Sequence, residues 1–74
     1  MSTVYVKGTK KAVNEQIKNG DEPQFENFSM FGGAGVYNFD ELERGTVVKF
    51  WSKRDPSDTP IARAYGQVKG GRIV

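Results

Sequence analysis

The sequence predicts a small α+β fold, with one N-terminal α-helix packed on a strongly bent antiparallel β-sheet or SH3-like barrel. Three observations predict it. The segment Gly45 to Val74 holds two β-rich runs around a charged turn and a third run after Gly70-Gly71, the pattern of an antiparallel meander. Lys10 to Asn19 contains no Gly or Pro and spaces Val13 and Ile17 four residues apart, a narrow apolar stripe on a helix. Val4-Tyr5-Val6 is β-branched and aromatic, which suits a strand that helps complete the sheet.

The elements follow in order. A first strand is expected over Thr3–Lys7, ended by Gly8. Thr9 stands where an N-cap belongs, and Asn19-Gly20 is a suitable helix stop, so the helix is expected over Thr9–Asn19. From Asp21 to Gly35 the residues leave two readings open. Phe25, Phe28 and Phe31 recur every three residues between Pro23 and the cluster Gly32-Gly33-Ala34-Gly35, which fits one helical turn or an ordered loop. Val36-Tyr37 suggests a brief strand, and Asn38-Phe39-Asp40-Glu41-Leu42 a short turn of helix capped by Asn38.

In Thr46–Ser52, Val48 and Phe50 alternate with Val47, Lys49 and Trp51. Lys49 marks the second set as the solvent side, which would leave Trp51 partly exposed. In Ile61–Val68, Ala62, Ala64 and Val68 are expected inward, with Arg63 and Tyr65 outward. A register slip of one residue would reverse that assignment. Gly66 interrupts the second strand and suggests a bulge there. Arg72–Val74 would add a last strand.

Seventy-four residues correspond to one domain, 1–74, whose thin core must come from aromatic and aliphatic side chains alone. With neither Cys nor His, disulfides and Cys/His zinc sites are excluded, and no cofactor is expected. Eleven Lys/Arg against nine Asp/Glu give +2, too small an excess to indicate nucleic-acid binding by itself. No apolar run resembles a signal peptide or membrane span, so a location in the cytoplasm, or in the cytoplasm of a host cell, is expected and a membrane partner is not.

Chemistry-bearing constellations are scarce. The glycine cluster lacks a following Gly-Lys-Ser/Thr, and Val36-Tyr37 does not start a helix, so it reads as a turn rather than a phosphate loop. Asp40, Glu41 and Glu43 crowd one short turn as helix-start acids do, and Asp55 and Asp58 flank Pro56 as turn residues. The expectation is a chain that is not an enzyme. Gly45-Thr46-Val47-Val48-Lys49-Phe50-Trp51 resembles the first strand of cold-shock domains, a nucleic-acid-binding family. The aromatic-rich Gly-Phe-Gly-Phe-Ile strand of that family is replaced here by Asp55-Pro56-Ser57-Asp58, so the resemblance stops at seven residues and assigns no family.

What remains is an outward set of cations and rings: Lys49, Trp51, Arg63 and Tyr65, with Lys53 and Arg54 at the turn. Trp, Tyr and Arg are enriched in protein-interface hot spots, while rings between cations also stack bases and neutralise phosphates. The bland reading has the rings covering a thin core and the cations solvated. The expected function is recognition of a protein partner through this face or a strand edge, with nucleic acid on the same face as the alternative. On that reading Trp51→Ala weakens partner binding by about 2 kcal/mol while the fold persists. In size and composition the chain is similar to accessory proteins of bacteriophages and small bacterial operons, which implies a modulator or inhibitor of a larger host machine.

Overall fold

In the computed structural model, which describes residues 3–28 and 34–74, the elements run β1 (Thr3–Lys7), α1 (Lys10–Lys18), β2 (Phe25–Phe28), β3 (Ala34–Tyr37), a 3-10 turn (Phe39–Glu41), β4 (Val47–Arg54), β5 (Pro60–Lys69) and β6 (Arg72–Ile73). The six strands form one curled sheet in the order β3-β2-β1-β4-β5-β6, with α1 against it. The α+β expectation holds at that level. The sheet is mixed rather than antiparallel, because β1 and β4 run parallel with Val4 beside Val48 and Val6 beside Phe50. The long connection through α1, β2 and β3 makes that parallel pairing possible.

The helix forms where the stripe places it. Thr9 caps it by accepting the Ala12 N–H at 3.2 Å, and the Asn19 N–H returns to the Glu15 carbonyl at 2.9 Å. Val13 is fully buried and Ile17 packs at the margin of a cluster formed by Val4, Val6, Phe25, Val48, Phe50, Val68 and Ile73. Each such side chain removed from water stabilises the fold by about 1.5–3 kcal/mol before entropy is counted.

Phe25 to Phe28 is the correction in the middle of the chain. Instead of a helical turn or a loop it is a strand, with Glu26 opposite both Tyr5 of β1 and Val36 of β3. Phe25 reaches the bottom of the core and meets Phe39, ring centroids 6.1 Å apart. Of the glycine cluster, Ala34 and Gly35 belong to β3; Phe31, Gly32 and Gly33 lie outside the described residues. The 3-10 turn starts at Asn38 as expected, with the Asn38 N–H donating to the Glu41 carboxylate at 3.0 Å.

The strand β6 is held twice. Val74 exchanges both backbone hydrogen bonds with Gln67, so Ile73 faces away from β5 with its N–H and carbonyl unclaimed by that strand. Asn14 supplies the missing partner. Its amide nitrogen donates to the Ile73 carbonyl at 2.8 Å, and its amide oxygen accepts the Ile73 N–H at 2.9 Å. One helix side chain thereby acts as a further strand.

Gly66 is not a bulge. It pairs regularly with Val48, and a Cβ there would stand 2.6 Å from the Ile73 methyl and 2.9 Å from the Val74 carbonyl. Glycine lets β6 fold back over β5. The irregularity falls at Arg63, the extra residue between Phe50–Ala64 and Trp51–Ala62, with a second shift before Arg54–Pro60. Such bulges curl a sheet.

Candidate partner-binding face

Cross-strand neighbours point to the same side of a sheet, so register identifies a face. On the side opposite the core, one row crosses five strands: Val36 opposite Glu26, Glu26 opposite Tyr5, Tyr5 beside Lys49, and Lys49 opposite Tyr65. The Lys49 ammonium lies between two rings, 5.5 Å from the centre of Tyr5 and 5.6 Å from that of Tyr65. Each contact contributes on the order of 0.5–1 kcal/mol at an exposed site and fixes a side chain that would otherwise wave in water. Among the described residues the two ends of the row are the most open large apolar groups: Tyr65 is 60% exposed and Val36 is 54% exposed.

Trp51 departs from its expected place. It is only 7% exposed, although it lies outside the cluster that contains Phe50. Strand alternation puts it on the outer side beside its β1 neighbour Lys7, and cations roof it there. The Arg54 guanidinium stacks 4.4 Å from the ring centre, and the Lys7 ammonium is 5.8 Å away. Arg54 is held in turn by Glu26 at 3.5 Å, by the Asp58 carboxylate at 3.9 Å and by a hydrogen bond to the Asp58 carbonyl at 3.0 Å. The indole N–H is enclosed without an acceptor. Trp51 and Arg54 are therefore a covered pair rather than an offered one, because aliphatic and guanidinium surface from two neighbours seals the ring.

The other sites divide. Lys49 and Tyr65 are brought together as expected. Lys53 is exposed near the end of β4, away from a partner ring. Arg63 is exposed, but at the bulge it lines a shallow cavity of ≈ 220 Å³ with Gly8, Lys10, Phe50 and Ala64. Ala64, expected inward, is exposed beside that cavity, where Gly8, Thr9 and Lys10 stand ahead of the body of the helix. Val68 is buried, as the inward assignment required, but Ala62 pairs with Trp51 and so stands on the outer side, because the extra residue at Arg63 shifts the alternation.

Tyr5, Glu26, Val36 and Lys7 were missed. Alternation between Val4 and Val6 already puts Tyr5 outside, but no local signal says that β1 lies between β2 and β4.

At the β4–β5 turn, the Asp55 carboxylate accepts the Ser57 hydroxyl at 2.6 Å and the N–H groups of Ser57 and Thr59 at 3.0 Å each. The Ser57 hydroxyl first, and then the Thr59 N–H, hold its carboxyl below the usual aspartate value of 3.8. This is turn chemistry, and Asp58 adopts the left-handed conformation at φ 66 that closes it.

Among the described residues no helix is long and apolar enough to cross a membrane. In comparison with known proteins, no family model, no curated protein and no solved structure matches the chain.

Proposed function

We propose that the protein is a small non-catalytic binding module that recognises a protein partner through the outer face of its curled sheet, centred on Tyr5, Lys49 and Tyr65. The observation that carries this is the composition of the row. Its one acid, Glu26, is paired with Arg54, Lys49 is held between two rings, and its exposed ends are a tyrosine and a valine. A surface whose exposed ends are an aromatic and an aliphatic side chain suits a protein partner better than a phosphate chain. Trp51, Arg54 and Glu26 support the face from beside it, and Trp51 is no longer a contact residue on this reading. The strand β3 ends the sheet, so a partner segment is also able to extend the face by strand addition next to Val36. In using a bent sheet as the recognition surface it would work as SH3-like modules do, in the cytoplasm, as a modulator or inhibitor of a larger machine.

The test is calorimetric titration of the partner, first identified by mass spectrometry of proteins retained on the immobilised chain. Tyr65→Ala and Lys49→Ala are each expected to weaken binding by about 2 kcal/mol or more, roughly 30-fold, while the chain stays folded. Undiminished affinity in both variants overturns the reading. Nucleic acid on the same face is the competing reading, favoured by a cation set between two rings. It predicts that Tyr65→Ala abolishes retention of a single-stranded oligonucleotide.

A further inference from the structure

A second surface lies where α1 meets the β5–β6 turn. Between α1 and the β5–β6 turn runs an open groove of ≈ 550 Å³, lined on one wall by Lys11, Glu15 and Lys18 and on the other by Gly70, Gly71 and Arg72. Lys69 stands beside Arg72 in the adjoining depression. Lys10 reaches the same hairpin, its Cε 3.2 Å from where a Gly66 Cβ would be. Among the described residues none of these five cations makes an ion pair; the ion pairs all belong to Arg54.

The charge is therefore segregated in a way the total conceals. Five cations and one acid, Glu15, give the groove and the turn beside it +4, so the rest of the chain carries −2 out of the overall +2. Lys11 and Lys18 are two helical turns apart, about 10.5 Å along the axis. The turn between the walls is Gly70-Gly71, with φ 62 and 76 and open space where side chains would be. Among the described residues neither glycine N–H has an acceptor, so two donors stand beside the cations.

We propose that this groove binds the phosphate backbone of double-stranded DNA, without reading sequence. The lining chooses the ligand. Among the described residues no aromatic lines the groove, so it has nothing there to stack an unpaired base, and Ile17 is the one large apolar group among them, too little to anchor a protein hot spot. What it offers is cations and backbone N–H groups, the donors that contact phosphates. The short helix forming one wall fits beside the wide major groove of B-form DNA, whereas the A-form groove of RNA is too narrow to admit it. The inference does not rest on the tyrosine row: with both surfaces in use, the module holds a protein on its sheet face and DNA in the groove between α1 and the β5–β6 turn.

The test measures fluorescence anisotropy of a labelled DNA duplex of about 20 base pairs with the whole chain between about 50 and 200 mM salt. Phosphate contacts by Lys11, Lys18 and Arg72 predict a slope of log affinity against log salt near −2.7, at about −0.9 per contact. The combined variant Lys11→Gln, Lys18→Gln, Arg72→Gln is expected to bind at least about 30-fold more weakly at the lowest salt, with a slope flattened by more than about 2. Its circular-dichroism melt should match the parent's, since all three side chains are exposed. Tyr65→Ala should leave the anisotropy curve unchanged. Absence of duplex binding, an unaffected combined variant, equal affinity for an RNA duplex, or binding to polyglutamate in place of DNA would each overturn the proposal. Loss of duplex binding in Tyr65→Ala would move the site to the sheet face. A failure here leaves the protein-partner titration above unaffected.

Discussion

Replacing Asn14 by alanine removes both hydrogen bonds that tie β6 to the helix. The Ile73 side chain is 1% exposed, and its backbone N–H and carbonyl point away from β5, so neither regains a protein partner when the amide is lost. Each hydrogen bond is worth about 0.5–1.5 kcal/mol net, and each buried group left unsatisfied costs about 1–3 kcal/mol. Partial entry of water at this margin argues for the lower part of the range, and roughly 2–3 kcal/mol is the expected loss. For a chain of this length 1 kcal/mol corresponds to about 4–8 °C, so Tm should fall by roughly 10–20 °C in a circular-dichroism melt. Asn14→Asp is the sharper variant. It keeps an acceptor for the Ile73 N–H but sets a carboxylate oxygen against the Ile73 carbonyl. Protonation would restore a donor, so the folded state should raise that carboxyl's pKa. Its contribution is then present in acid and lost as pH rises, and the gap to the parent should narrow toward pH 4. A fall of less than about 3 °C for Asn14→Ala would refute the account of β6 as a strand completed by a side chain.

Other outcomes follow from single contacts. Gly66→Ala drives a methyl into Ile73 and the Val74 carbonyl and should cost about 1–3 kcal/mol by chemical denaturation; an unchanged midpoint would show that β6 does not pass so close. Trp51→Ala should destabilise the fold by about 3–5 kcal/mol, while Trp51→Phe, which removes an N–H without an acceptor, should cost far less. Equal losses for the two would mean that the indole N–H is bonded. The Asp55 carboxyl is held low, so the order it gives the turn is present above the ordinary aspartate value and lost as pH falls below 3.8. The Ser57 and Thr59 amide resonances should shift together with a midpoint under that value, and a midpoint above it would contradict the hydrogen bonds described.

The local rules were enough for much of this chain. Thr9 and Asn19 delimit α1 because capping is written in the adjacent residues, and the last hairpins follow from Gly70-Gly71 and the Asp55 turn. Where a long-range partner decides, reading the sequence fails. Phe25 to Phe28 is a strand because β1 and β3 flank it, against a three-residue repeat of Phe that suggests a helix. Trp51 alternates outward as its strand requires, yet Lys7 and Arg54, from positions 44 residues before and three after, cover it. Gly66 marks a close approach rather than a bulge, since only the returning β6 gives its missing side chain a purpose. Of the expected face, Lys49 and Tyr65 survive together because antiparallel pairing sets them directly opposite.

The central claim is that the Tyr5–Lys49–Tyr65 surface meets another protein in the cell. A photo-reactive benzophenone amino acid in place of Tyr65, and separately in place of Arg72, tests it in the native host. Cross-linking to one discrete polypeptide from position 65 and not from position 72 is the predicted result. No adduct from position 65, or the same adducts from both positions, would contradict it.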